Sequence, residues 1–269
     1  MKPVQFLALI VSSEIIVVLP RVSVKLFEDF VNEGFNDKSI LKAFFMAGGP
    51  GSGKSYVATE LFGFPKGAAT SVSYDTGLKN VNSDSAFEKY AKEAKIDLSK
   101  MKDIKQDSKE WEDLMKVRDK AKKVSRSLRD NYLKGRLGMV IDGTGKNFEK
   151  MAKQRNILSD ALGYDCYMIF VNTSLEVALE RNLARERKLD TKMVEKMWSE
   201  VQDNLGRFQK LFGVNRMFVI DNSSYENEDT LKEIEKLIRR ELKKPVMNPT
   251  GKMWMRMNDP KNKDKNQPF

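Results

Sequence analysis

The run Gly48-Gly49-Pro50-Gly51-Ser52-Gly53-Lys54-Ser55 fits the spacing G-x-x-x-x-G-K-[ST] at every position. At average residue usage such a match arises by chance roughly once in a hundred chains of this length. The residue types answer to one task. Glycines let backbone N–H groups turn inward around phosphate oxygens, and a following helix adds the partial positive charge of its N-terminus. Lys54 would then reach the β- and γ-phosphates of a bound ATP or GTP, and Ser55 would ligate Mg²⁺. A Gly-rich turn of purely structural purpose does not account for Lys54-Ser55 at this spacing.

The remaining chemistry must come from a restricted set of side chains. The chain contains no histidine and one cysteine, Cys166. The commonest general base is therefore absent, and neither a disulfide within the chain nor a zinc cluster can form. Cys166 lies in the apolar run YDCYMIF and reads as a small core residue. Carboxylates, Lys, Arg and hydroxyls are left. Asp142 ends the apolar run LGMVI, where an acid can hold Mg²⁺ through water or can simply turn the chain before Gly143. Asp84 follows the short run LKNVN. It suits a general base toward a hydroxyl nucleophile, with a helix N-cap in the sequence SDSAFE as the other reading. Arg181, Arg185 and Lys188 share a helical face with Arg187 adjacent. They suit either a phosphoryl group in transfer or an exposed basic surface.

The elements that must position these residues alternate. LKAFFMA (41–47), LKNVN (78–82), LGMVI (137–141), YDCYMIFV (164–171) and MFVI (217–220) read as strands. Helix spacing is expected over 24–35, 53–62, from 84 to about 94, 107–132, 148–162, from Thr173 onward, 193–212 and 229–242. Ala68–Gly77 reads as a loop. The strands are continuous apolar runs, which predicts a parallel sheet covered on both faces in an α/β fold. Thr173 and Glu176 have capping-box spacing. The helix over 107–132 carries Trp111, Leu114, Val117, Ala121, Val124 and Leu128 on one face. Arg118, Lys122, Lys123, Arg126 and Arg129 lie on the other.

The composition, 41% hydrophobic and 32% charged over 269 residues, suits one globular core with decorations. A formal net charge of +10 favours anionic partners, whether nucleotides, nucleic acid or acidic lipid. Residues 1–23 form an apolar extension. Its run 4–19 is short for a membrane span and carries Glu14 mid-segment, and SSEIIVVLPR is a poor signal-peptide cleavage site. A buried strand, a non-native extension and a membrane anchor all remain open for it. The P-loop body is expected over 24–242, with a helical insert at 99–132 and a lid at 181–192. Residues 243–269, rich in Lys, Asn, Pro and Met, read as a flexible basic tail. The expected compartment is the cytoplasm.

The order GGPGSGKS, NVNSDSAFE, VIDGTGKN, GYDCYMIFVNTSLEVALERNLARER resembles the nucleoside-kinase-like P-loop kinases. The zeta-toxin-like kinases are the nearest in pattern and polynucleotide kinases a near relative. The resemblance spans roughly Leu41 to Asn222 and implies a five-stranded parallel sheet of order 2-3-1-4-5. It implies a base at Asp84, an acid near metal and substrate at Asp142, an acceptor border at Gly143-Thr144, and nucleotide and phosphate contacts from Arg181, Arg185 and Arg187. The acceptor would be a small molecule, a sugar nucleotide or a nucleic-acid end. A nucleoside monophosphate kinase and a nucleotide-gated nucleic-acid-binding protein are the alternatives. The basic insert, the apolar extension and the tail lie outside the family pattern.

Overall fold

The structure, a computed structural model, describes residues 6–8, 18–20, 34–64, 72–73, 75–185, 188–224 and 228–263. Two short strands, β1 (Phe6–Ala8) and β2 (Val18–Pro20), pair antiparallel with each other and form a sheet of their own. The body is a second sheet of β3 (Lys42–Ala47), β4 (Lys79–Val81), β5 (Met139–Asp142), β6 (Asp165–Asn172) and β7 (Met217–Asp221). Its order is β4-β5-β3-β6-β7, with every pairing parallel. Counted from β3, that is the expected 2-3-1-4-5.

The central strand, KAFFMA, is buried along its whole length. Its period of two divides the core. Ala43, Phe45 and Ala47 join Met139, Ile141, Cys166, Met168 and Phe170 on one face. Phe44 and Met46 join Val140, Tyr167, Ile169 and Val171 on the other. Helices α4 (Phe148–Asn156), α6 (Thr191–Asp203) and α7 (Leu205–Phe212) cover the first face through Met151, Val201, Phe208 and Phe212. Helices α1 (Lys54–Phe62) and α8 (Glu228–Lys243) cover the second through Val57, Leu61, Phe62, Leu231, Ile234 and Ile238. The continuous apolar strands thus have helices on both sides. Cys166 is enclosed in the first face, and burial pushes its thiol up to about 12, which removes it as a nucleophile near neutral pH.

Helices α2 (Asp84–Glu93) and α3 (Lys109–Lys134) form a hairpin with a small core of its own, in which Trp111, Met115 and Val117 pack on Phe87, Leu114 and Ala121. A 3₁₀ turn at Leu98–Asp103 joins them. The stretch 99–132, expected as an insert, lies in this hairpin, and α2 packs with it. The exposed face of α3 carries Arg118, Lys122, Lys123 and Arg126.

Several expected boundaries shift. The helix expected over 193–212 is broken at Asn204, whose side chain turns inward to other work. The helix over 148–162 finishes as a π-helical turn, Ile157–Ala161, before Gly163. The helix over 24–35 falls mostly outside the described residues, and so does half of the loop at 68–77. No described helix is long and apolar enough to cross a membrane.

The largest correction concerns the tail. Residues 245–257 are docked on the body. Helix α9 (Pro249–Met257) places Trp254 and Met255 against the first core cluster, and Val246 is part of it. Asn248 donates to the carbonyls of Ser159 (2.9 Å) and Tyr164 (3.2 Å) while its Oδ1 accepts from Thr250 N at 3.0 Å. The Met247 amide donates to Asp165 Oδ2 at 2.8 Å, beside the fully buried Lys42–Asp165 ion pair. Spaced Val246, Trp254 and Met255 suffice to anchor one short helix, although they set up no long apolar period.

Candidate active site

The P-loop emerges from the carboxyl end of β3, the central strand, where open α/β sheets gather their ligands. Gly51 (φ 77°) and Gly53 (φ 82°) adopt the left-handed region that glycine tolerates. Space is as demanding as conformation. A Cβ on Gly51 would lie 2.3 Å from the Ala178 carbonyl of α5 (Leu175–Leu183), and one on Gly53 would lie 2.2 Å from Asn222 Nδ2. Lys54 opens α1 and folds back over the loop, donating to the carbonyls of Gly48 (2.5 Å) and Gly49 (3.3 Å). Burial lowers its pKa, with Asp142 raising it and Arg185 lowering it further. Ser55, the next residue, is exposed.

Asp142 ends β5 in register with Met46 of the P-loop strand. Its Oδ2 accepts from Asn82 Nδ2 at 3.0 Å, and its Oδ1 is buried with no hydrogen-bond partner among the described residues. Burial pushes the Asp142 carboxyl up, Lys54 pulls it down, Asp84 pushes it up again and the Gly143 amide pulls it down. Lys54, Asp84, Asp142 and Arg185 therefore share one electrostatic neighbourhood. A buried carboxylate oxygen without a donor, at the end of a strand paired with the P-loop strand, is a fit for a hard cation with oxygen ligands. Ser55 and Asp142 are the residues that would hold Mg²⁺. Among the described residues, no group of three or more His, Cys, Asp or Glu side chains is placed to hold a metal ion.

Asp84 is the first residue of α2 and is exposed. It does not cap its helix. Its own amide donates to Asn82 Oδ1 at 2.7 Å, and its carboxylate has no hydrogen-bond partner among the described residues. The Gly143-Thr144 turn adjoins the P-loop directly, since the Gly48 amide donates to the Thr144 carbonyl at 3.0 Å. Asn204 holds that turn from the far side, donating to the carbonyls of Gly145 and Lys146, both at 3.0 Å.

The arginines divide. Arg181 donates to the Asn222 carbonyl at 2.7 Å, and Asn222 Nδ2 donates to the Ser52 carbonyl at 2.7 Å. Arg181 thus braces the back of the loop. Arg185 is exposed and acts electrostatically on Lys54. Arg187 lies outside the described residues. In the expected lid, Asn182 brackets the main chain of Leu189, donating to its carbonyl at 2.8 Å and accepting from its amide at 3.0 Å.

Sequence reasoning did not find Asn82, Asn204 or Asn222. Asn82 and Asn222 each follow a strand at its carboxyl end, where a short amide can reach a neighbouring loop or strand end, and that position was the available signal. Trp198 also lies close by. It donates from Nε1 to the Thr173 carbonyl at 2.8 Å, and its Cα lies 3.7 Å from where a Cβ on Gly49 would be.

No curated protein sequence matches the chain. Among solved structures, the PezAT toxin–antitoxin system of Streptococcus pneumoniae aligns at 13% identity over 81% of this chain and 99% of that one, with a TM-score of 0.49. The AvrRxo1-ORF1:-ORF2 complex aligns at 14% identity over 86% and 80%, with a TM-score of 0.49. Shikimate kinase from Acinetobacter baumannii aligns at 18% identity over 77% and 97%, with a TM-score of 0.40. The family model described as an AAA domain matches residues 44–208, from the P-loop strand through the helix that holds the Gly143–Gly145 turn. With its intact P-loop and the strand order 2-3-1-4-5, the chain belongs to the AAA domain family of P-loop proteins.

Proposed function

We propose that the chain is a Mg²⁺-dependent phosphotransferase that moves the γ-phosphate of ATP or GTP to a hydroxyl group. The observation that carries this reading is the state of Asp84. Its carboxylate is exposed and unpartnered among the described residues, in the electrostatic neighbourhood of Lys54 and Asp142. Such a group, in a chain without histidine, suits a proton acceptor.

The loop amides and Lys54 hold the donor's phosphates. Ser55 and Asp142 would hold Mg²⁺, which would neutralise charge on the phosphate oxygens. Asp84 takes the acceptor's hydroxyl proton as that oxygen bonds to the γ-phosphorus. The bond from the γ-phosphorus to the bridging oxygen breaks, and the nucleoside diphosphate leaves with the electron pair. Arg185 balances charge over the phosphoryl group, and the chain around 181–192 closes over it to limit transfer to water. The basic face of α3 suits an anionic acceptor, a sugar nucleotide or a 5′-hydroxyl end of nucleic acid. A single buried thiol suits the reducing cytoplasm.

Incubation with γ-labelled ATP, Mg²⁺ and separate pools of nucleosides, sugar nucleotides and 5′-hydroxyl oligonucleotides tests the proposal. Label is expected on an organic hydroxyl in one pool. Tight, salt-sensitive oligonucleotide binding with label released only as inorganic phosphate would turn the reading toward a nucleotide-gated binding protein.

A further inference from the structure

We propose that Asn82 is a positioning residue of the phosphotransfer site, its one side chain fixing both the carboxylate of Asp142 and the start of the helix that carries Asp84. The inference rests on the function proposed above.

Asn82 directly follows β4, and each of its polar groups reaches a different part of the site. Its Nδ2 donates to Asp142 Oδ2 at 3.0 Å. Its Oδ1 accepts from the Asp84 amide at 2.7 Å. Its carbonyl accepts from Ser125 Oγ of α3 at 3.1 Å. The amide orientation is dictated by its partners. A backbone N–H requires an acceptor, and a carboxylate oxygen requires a donor, so only one placement of O and N satisfies both.

The arrangement has a geometric consequence. By occupying Oδ2, Asn82 fixes the rotation of the Asp142 carboxyl and leaves Oδ1 as the buried oxygen without a partner, the one available to a cation. By receiving the first amide of α2, it relieves Asp84 of capping and leaves that carboxylate for the acceptor. One carboxamide thus sets the spacing between the acid on the donor side and the base on the acceptor side. No other side chain is equivalent. Asp would place a second carboxylate against Asp142, and Ala would release both contacts.

The test measures binding of a fluorescent ATP analogue with Mg²⁺ and with EDTA, and hydrogen exchange at the Asp84 amide. In Asn82→Ala, the Mg²⁺-dependent gain in affinity is expected to fall at least tenfold while affinity in EDTA stays within about twofold, and the Asp84 amide is expected to exchange faster. Asn82→Asp keeps the acceptor, so the amide should stay protected while the Mg²⁺ gain is lost. Ser125→Ala removes the α3 anchor alone and should keep the gain. A parental gain retained in Asn82→Ala or Asn82→Asp overturns the proposal, as does an equal loss in Ser125→Ala, which would mark Asn82 as merely structural. If Asn82→Ala does not fold, the aspartate variant decides. A parental protein that binds no nucleotide overturns the phosphotransferase reading itself, and this inference with it.

Discussion

Asp84→Asn is expected to lower kcat by about 10²–10⁴-fold, the usual scale for loss of a general base, with ATP affinity little changed. A hydroxyl becomes a competent nucleophile only as its proton leaves, and the described site offers few acceptors for it. Asp142 is committed to Asn82 through Oδ2, and its Oδ1 is buried. Asp84 is exposed at the head of α2, with its carboxylate without a hydrogen-bond partner among the described residues. The substitution keeps size and removes charge, and the contact at this position, Asp84 N to Asn82 Oδ1, is a main-chain one. The melting temperature should therefore stay nearly constant, which separates chemistry from folding. Steady-state transfer measured beside thermal unfolding checks this. Transfer at the parental rate would mean that the acceptor needs no base. It would then carry a phosphate already, and a nucleoside monophosphate kinase would be the better description.

Removing the chain after Lys244 is expected to lower the melting temperature by about 10 °C. The sequence pattern suggests the opposite, a dispensable tail, and the docked segment overturns that. Truncation strips Val246, Trp254 and Met255 from the first core cluster, where a buried aliphatic side chain is worth about 1.5–3 kcal/mol. It also takes the Met247 amide from Asp165, a carboxylate with no exposed surface. The carbonyls of Ser159 and Tyr164 lose Asn248. A buried ion pair that loses supporting donors is costly, so a total of about 3–4 kcal/mol is reasonable, and each kcal/mol moves a domain of this size by about 2–4 °C. The truncation lies at the end of the sheet away from the P-loop, so ATP affinity at low temperature should survive. Differential scanning calorimetry of the two proteins decides. A change within a few degrees would show that the tail adds nothing to stability.

Much of the fold was legible because its central strands are unambiguous. KAFFMA and DCYMIFVN are buried almost throughout, and no amphipathic alternative competes with such runs. The P-loop was legible because backbone geometry near phosphate admits few residue types. What escaped was set by single contacts of long sequence separation. Asn204 reaches back to Gly145, and the helix breaks there, a break no apolar period reveals. The docking of 245–257 depends on three apolar residues and one asparagine finding partners near 159–165. Arg181 and Arg185 share a helical face in the sequence, yet Arg181 is held by the Asn222 carbonyl across 41 residues. Asn82 reads as an ordinary strand-end residue until Asp142 is placed beside it, 60 residues away.

The most direct test of the central claim is phosphate transfer by Lys54→Ala. Lys54 contacts the loop carbonyls of Gly48 and Gly49 and lies outside the hydrophobic clusters, so the variant should fold with an unchanged circular dichroism spectrum. With γ-labelled ATP and the acceptor that the parental protein labels, the folded variant is expected to transfer no detectable phosphate. Transfer at the parental rate by a folded Lys54→Ala protein would contradict the account, because the loop at Gly48–Ser55 would then not be the donor site.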